Sequence, residues 1–472
     1  MATTSPPGHE STTPLSTTEA LLWHAEATRR SFHPWFGGLV LLDRAPAPAA
    51  FDAALSLAAE RVPRLGHCVA TRGLGVGLPS WQAADKVDPR YHVRRLRLGA
   101  DADLESMLDA LAVVVSLPMD RGRPLWECYL LGPYDGGRAA CFIKLHAALV
   151  DSVDIAELLS VLASPRAARR EQSNGEVTNG TTRWSAGARE TWRLARSAAG
   201  LSARALRHPV ESIESVWRGA KELPDAVSDA AESFAREIGG SEVTGAVRKL
   251  DLLTLPLADL DEIARPLGVA VEDLLLSALT AALRALKPPA QRRVTETNCL
   301  ARVKRIGGSG FAFGSISVPF GERRADRRLA LIRDARLELS GSNGGLSPLL
   351  AQTLGILPRL PGGWLAGVGL GRPDACFADA GACTPTSKLA GATVESTYGF
   401  GDFAEAGSFG ATVIRRGSLC HIGIAADSEL VKPSVSLAGL LTAALDELGA
   451  LAERFARGGR QYARGVRRDS DY

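Results

Sequence analysis

The chain lacks most of the features that would assign it to a specialised class. No uninterrupted apolar run in its 472 residues is long enough to cross a bilayer, which takes roughly 20 residues as a helix. Residues 1–18 are rich in Ser, Thr and Pro, with no basic segment leading into an apolar one; they read as a disordered tail, not a secretory signal. The seven cysteines, Cys68, Cys128, Cys141, Cys299, Cys376, Cys383 and Cys420, are odd in number and never spaced C-x-x-C. That pattern argues against a disulfide framework and a zinc site, and for reduced thiols in a cytoplasmic protein. His67 beside Cys68, and His92, have no partner at metal-ligand spacing, so no bound metal is expected. Charge of one sign is missing too: 55 Lys and Arg against 52 Asp and Glu give a net +3, which argues against nucleic-acid binding by the whole protein. The glycine cluster Gly307-Gly308-Ser309-Gly310 is not followed by Lys-Ser/Thr, so it reads as a turn and not a phosphate loop. No short-period repeat is present.

What is there is enough apolar residue for large cores. Hydrophobic residues make up 46% and charged residues 23%, and the length suits two domains of roughly 150–200 residues each plus connections. Residues 19–165 read as an α/β domain. Helical spacing covers Glu19 to Arg29, Phe51 to Arg61, Leu104 to Val115 and the stretch from Val153. Strand patterns cover Phe36 to Leu42, Tyr91 to Leu96, Trp126 to Leu131 and Ala139 to Leu145, the last two joined by a turn-rich Gly132 to Gly137 that predicts a hairpin.

Residues 166–245 read as a basic helical linker after a polar loop. Trp184, Trp192 and Trp217 alternate there with Arg183, Arg189, Arg193, Arg196, Arg204 and Arg207. Over 183–217 this suits a helix on an anionic membrane or lipid-droplet surface; it equally suits a crossover helix whose Arg side faces water. A second α/β domain spans 246–455. Helices are expected over Leu257 to Ala264, Val271 to Leu286, Arg327 to Leu339 and Val435 to Leu451, and strands at Cys299 to Val303, Ser315 to Phe320 and Leu419 to Ala425. In that last strand His421 falls opposite the face of Ile422 and Ile424, which predicts exposure. Residues 456–472 read as a basic, frayed tail.

The segment Lys144-Leu145-His146-Ala147-Ala148-Leu149-Val150-Asp151-Ser152 places a lone His at a strand end and an Asp just before a helix. Upstream stand Tyr91-His92-Val93-Arg94 and Asp120-Arg121-Gly122-Arg123-Pro124-Leu125-Trp126-Glu127, then Gly136-Gly137-Arg138. Weaker echoes are Pro14-Leu15-Ser16, Phe36-Gly37-Gly38-Leu39, Leu389-Ala390-Gly391-Ala392 and His421-Ile422-Gly423-Ile424-Ala425-Ala426-Asp427. Together they resemble the bacterial wax ester synthase/diacylglycerol acyltransferase family. The resemblance implies two chloramphenicol-acetyltransferase-like α/β domains with mixed sheets, joined by a helical crossover, with a tunnel between them. Acyl-CoA would be cosubstrate, with no bound cofactor, and a long-chain alcohol or diacylglycerol the acceptor. In that family the segment reads His-His-x-x-x-Asp-Gly, the second His acting as general base. Residue by residue, His146 matches the first His, Ala147 the base, Asp151 the Asp and Ser152 the Gly. Other family positions fall on Trp126, on Glu272-Asp273 for an Asn-Asp pair, on Gly314-Ser315 for a Gly-Asn pair, and on Ala378 to Cys383 for a Ser-Asn-Val-Pro-Gly-Pro run.

A positioned base contributes about 10²–10⁴-fold to a transfer of this kind, and the methyl group of Ala147 cannot accept a proton. Two readings follow. One is an acyl-CoA-dependent O-acyltransferase of reduced or rerouted activity, with His146 or a relayed water as base and Asp151 holding the site. The other is a silent member that binds lipid or acyl-CoA, or pairs with an active paralogue; homo- and hetero-dimers both stay open. For His146 alone a hydrogen-bonded structural role is favoured, because a one-residue shift on a strand reverses the face. Asp151 reads as a helix N-cap or the partner of a buried Arg, Asp154 as a residue of the first helical turn, and Trp126 as packing.

Overall fold

The computed structural model describes residues 13–28, 33–70, 79–84, 87–163, 248–288, 294–305, 311–341, 373–385, 388–402, 408–432 and 434–468. In chain order the first half carries β1 (Thr13–Pro14), α1 (Thr17–Thr28), β2 (Trp35–Leu42), α2 (Pro48–Arg61), β3 (His67–Ala70), β4 (Ser80–Ala83), α3 (Pro89–His92), β5 (Val93–Leu96), α4 (Leu104–Ser116), β6 (Trp126–Tyr134), β7 (Arg138–His146) and α5 (Ile155–Ala163). The second half carries β8 (Arg248–Pro256), α6 (Leu257–Leu267), α7 (Val271–Leu286), β9 (Thr297–Lys304), β10 (Phe311–Val318), α8 (Ala325–Gly341), β11 (Ala375–Cys383), β12 (Lys388–Leu389), β13 (Ala392–Asp402), β14 (Phe409–Arg416), β15 (Leu419–Asp427) and α9 (Leu437–Arg468). The linker expected over 166–245, with its membrane-facing segment 183–217, lies outside the described residues.

Two six-stranded mixed sheets organise the chain, in the orders β12-β13-β2-β7-β6-β5 and β10-β9-β11-β14-β15-β8, with a small sheet β1-β4-β3 beside them. The two large sheets repeat one motif. Strand β5 runs parallel to β6, which turns back into antiparallel β7 with β2 alongside; β11 runs parallel to β14, which turns back into β15 with β8 alongside. Each second hairpin strand ends in a single 3-10 turn capped by the strand's own last side chain. His146 accepts from the Ala148 amide at 2.9 Å, and Asp427 from the Glu429 amide at 3.0 Å. His146 and Asp427 thus hold equivalent places in the two halves.

Strand β7 reads as a nearly continuous apolar run because both of its faces are covered. Cys141, Ile143 and Leu145 enter one core cluster and Ala140 and Phe142 another. Helix α1 starts on a reciprocal capping box: the Ser16 amide donates to Glu19 Oε2 at 2.8 Å, and the Glu19 amide to Ser16 Oγ at 3.1 Å. Residues 13–18, assigned from sequence to a disordered tail, are therefore part of the fold.

The halves are not separate in sequence as expected. Residues 388–402, within the stretch assigned to the second domain, leave it to extend the first sheet, where β13 pairs antiparallel with β2. Without this addition β2 would present an unpaired edge. Strand β13 also lies against β14 and β15, and no side chain fits at the crossing: a Cβ on Gly423 would collide with the Gly399 carbonyl, and one on Gly399 would lie 2.6 Å from Thr412 Cγ2.

Other differences are local. Tyr91 and His92 belong to the single turn α3, and only Val93–Leu96 is strand. The last helix continues to Arg468, through most of the stretch read as a frayed tail. Among the described residues no single helix is long and apolar enough to cross a membrane; α6 and α7 pass such a test only as a pair, bent by 93°. The apolar residues of α7, Leu274, Leu275, Leu276 and Leu279, are spent on the second core.

Candidate active site

The signature occupies the end of β7 and the turn into α5. Ala147 is fully buried, with its amide on the Pro34 carbonyl at 3.0 Å. His146 is 2% exposed and has both ring nitrogens engaged. Nδ1 accepts from the Ala148 amide, which leaves the proton on Nε2, 2.8 Å from Glu26 Oε2. The Trp23 ring meets the imidazole edge-on, with centroids 5.8 Å apart, and Arg121 stacks over Trp23 at 3.5 Å. Glu26 also meets Arg121 at 3.1 Å and His33 at 3.3 Å. Burial by itself would push the Glu26 carboxyl up, but its contacts with His146, His33 and Arg121 outweigh it and hold the group far below the carboxylate range. This geometry suits a structural His: a proton acceptor for substrate needs a free nitrogen, and His146 offers none.

Asp151 differs from its sequence reading. It is exposed and accepts from Ser16 Oγ at 2.7 Å. The N-cap of α5 is Asp154, whose Oδ1 takes the Ala156 and Glu157 amides at 2.8 and 3.1 Å. The salt bridge to a buried Arg also belongs to Asp154, which faces Arg302 at 3.6 Å. The helix begins three residues later than an Asp151 cap requires, because residues 150–152 continue the turn that follows the 3-10 segment Ala147–Leu149. Ser152 Oγ donates to Glu19 Oε1. The other oxygen of Glu19 takes the Ser16 amide and Trp81 Nε1, at 2.8 and 3.1 Å. Burial, with nearby Asp151, pushes the Glu19 carboxyl up, and these hydrogen bonds only partly offset it.

In the second half the expected residues separate. Glu272 joins a chain of charges that crosses between the halves: Glu272 to Arg415 at 3.3 Å, Arg415 to Asp379 at 2.8 Å, the Asp379 carbonyl to Arg302, and Arg302 to Asp154. Asp273 turns instead into its own core, where it pairs with Arg336 and caps α7 by accepting from the Ala270 amide at 3.0 Å. Gly314 and Ser315 lie on β10, the edge strand, opposite Ala301 and Leu300; Ser315 is exposed. Arg302 and Arg415 were not singled out from sequence, and Asp379 was named only within the run Ala378 to Cys383. Their signal would have been charged residues at the core positions of strand patterns, which demand partners.

Trp126 is buried at the start of β6, with Nε1 on the Leu65 carbonyl at 2.8 Å and the ring stacked on His92 at 4.4 Å. This agrees with a packing role. His92 and the neighbouring Pro124 help line a cleft of about 580 Å³ that also includes Asp88, Asp120 and Arg123. His421, expected to be exposed, is 2% exposed. The face opposite Ile422 is covered by β13, so the imidazole meets the Tyr398 ring edge-on at 5.1 Å and Thr254 Oγ1 at 3.2 Å. Burial, reinforced by Arg416, lowers its pKa to about 4. No disulfide joins the cysteines; Cys128 and Cys141 Sγ atoms lie 3.8 Å apart in the first core.

Comparison with known proteins bears on this arrangement. Residues 15–275 match the model of the wax ester synthase/diacylglycerol acyltransferase catalytic domain. A Mycobacterium tuberculosis protein named for diacylglycerol O-acyltransferase activity is 26% identical over 465 residues, covering 93% of this chain and 92% of its own length. The wax ester synthase/diacylglycerol acyltransferase from Marinobacter aquaeolei is similar in fold, with a TM-score of 0.51 at 18% identity over 93% of this chain and all of its own. The first condensation domain of the calcium-dependent antibiotic synthetase gives 0.54 at 15% identity over 94% of this chain and 96% of its own. Both likenesses concern the two-domain α/β fold.

Proposed function

Because the chain belongs to the wax ester synthase/diacylglycerol acyltransferase family, we propose that it transfers an acyl group from acyl-CoA to a lipid alcohol or diacylglycerol, by a route that does not use the signature's base. The observation that carries this reading is the buried methyl of Ala147 at the base position, within a turn where His146, Asp151 and Ser152 are each held by a hydrogen bond. The missing imidazole is worth about 10²–10⁴-fold, so ester formation should be slow beside a member with both His residues. The test is transfer of radiolabelled palmitate from palmitoyl-CoA to hexadecanol or dioleoylglycerol by the purified full chain. Product above the protein-free rate supports the reading; CoA and ester both at background with every acceptor overturn it.

A second reading, a silent member that holds acyl-CoA or lipid, is favoured by one observation: both nitrogens of His146 are taken. Saturable binding of palmitoyl-CoA without any turnover would select it. Action in the cytoplasm, with 183–217 resting on an anionic membrane or lipid droplet, goes with such substrates. Flotation with anionic liposomes at low salt is the check, and its loss at high salt the expected signature.

A further inference from the structure

A serine hydroxyl and a buried carboxylate meet on the other side of the signature turn. We infer that Ser152 and Glu19 form a nucleophile–base dyad, and that acyl transfer proceeds through an acyl ester on Ser152. The inference rests on the acyltransferase reading above and specifies its route.

Three features of the geometry support it. First, Ser152 Oγ donates directly to Glu19 Oε1, the contact a base needs to take the proton as the oxygen attacks. Second, the base is held in place: Glu19 Oε2 is occupied by the Ser16 amide and the Trp81 indole, so Oε1 is left to Ser152. This is the logic of a nucleophile, a base and a third group that orients the base. Third, Glu19 is 2% exposed while Ser152 is only partly buried, so the base is more sheltered than the nucleophile. Burial favours the protonated form of Glu19, which brings its proton affinity nearer to that required for catalysis at neutral pH.

The step balances. Ser152 Oγ attacks the thioester carbonyl carbon of acyl-CoA and its proton passes to Glu19 Oε1. The tetrahedral adduct collapses with cleavage of the C–S bond, and the CoA sulfur leaves as the thiol with the proton returned by Glu19. The enzyme is then an O-acyl ester on Ser152 with Glu19 ionised. The acceptor hydroxyl attacks that ester, gives its proton to Glu19, and Ser152 leaves reprotonated. Acyl-CoA and alcohol become ester and CoA, with no other reactant.

The experiment incubates the full chain with palmitoyl-CoA without acceptor, quenches in acid, and reads intact mass followed by peptide mapping. The expected result is one palmitoyl adduct on the peptide carrying Ser152, chased off by hexadecanol. Ser152→Ala should abolish the adduct and cut transfer at least about 100-fold, and Glu19→Gln, which can still accept the Ser152 hydrogen bond, should slow adduct formation by a similar factor. Unchanged thermal melting of both variants shows that folding is not the cause. Steady ester formation by wild type with no adduct, or by Ser152→Ala at the wild-type rate, overturns the dyad and leaves the acyltransferase reading standing. Absence of adduct, CoA release and ester together overturns both.

Discussion

Glu26 lies two helical turns after Glu19 on α1, and the two carboxylates grip opposite ends of the signature turn: Glu26 holds His146 and Glu19 holds Ser152. The two acids are equally sheltered in kind yet behave in opposite ways. Glu26 faces His146, His33 and the Arg121 guanidinium, and its ionised form wins against burial. Glu19 receives only neutral donors from a hydroxyl, an amide and an indole, and burial wins. One helix therefore supplies a permanent anion that fixes the His and a weaker acid suited to proton transfer.

Glu26 predicts an acid-sensitive fold. Its folded pKa lies below that of the unfolded chain, so between the two values the unfolded state binds more protons and stability falls as pH falls. The loss should begin near pH 4.5, the ordinary carboxylate value, and deepen toward lower pH. Glu26→Ala should cost about 1–3 kcal/mol at neutral pH, because it leaves the buried Nε2–H of His146 without an acceptor and the half-buried Arg121 without its acid. Urea unfolding from pH 7 to pH 3 measures both; a variant as stable as wild type at pH 7 would show that the cluster contributes nothing.

Much of this frame was legible in the sequence. The β6–β7 hairpin, α4, α5 and α7 announce themselves by period and turn chemistry, and the Pro124-Leu125-Trp126 stretch with the His146 segment pointed to the family. The strand exchange of 388–402 was not legible, because β13 reads the same whichever sheet it joins and only long-range pairing decides. His421 was misread for the same reason. Strand alternation tells which side chains share a face, and the second sheet that covers the far face is invisible in the local pattern. The role of Asp154 was hidden because the turn after β7 runs on through Ser152, which places the cap three residues later.

Lys144 gives a second pH signature, at the alkaline end. Its side chain is 1% exposed and reaches the last carbonyls of α4, donating to Val114 at 3.2 Å and to Leu117. Burial lowers its pKa from 10.5 to about 8, although Glu127 and Glu26 pull the other way. Between about 8 and 10.5 the unfolded chain holds a proton that the folded chain has lost, so this group makes stability rise with pH across that window, by roughly 3 kcal/mol in all. The difference in unfolding free energy between wild type and Lys144→Met isolates the effect from tyrosine ionisation. A difference that stays flat from pH 7.5 to 10 would remove it.

Asp154 and Asp151 should separate cleanly. Asp154→Ala removes the α5 N-cap and the partner of Arg302 and should cost about 2 kcal/mol or more. Asp151→Ala removes one exposed acceptor for Ser16 and should change stability by about 0.5 kcal/mol or less. Equal effects in thermal melting would contradict the assignment of the cap.

Ala147→His decides how the site works. The position is fully buried and its amide is tied to Pro34, so the larger side chain should cost about 1–3 kcal/mol of stability. If the imidazole reaches the acceptor hydroxyl, ester formation should rise by about 10²–10⁴-fold. The informative variant is then the double one. If wild type works through an acyl ester on Ser152, Ser152→Ala removes activity from the otherwise wild-type chain but not from the Ala147→His chain, where direct transfer no longer needs the serine. Activity that depends on Ser152 in both backgrounds would mean that the restored imidazole acts through the serine. No gain in either, from a protein that melts normally, would place the acceptor out of reach of position 147.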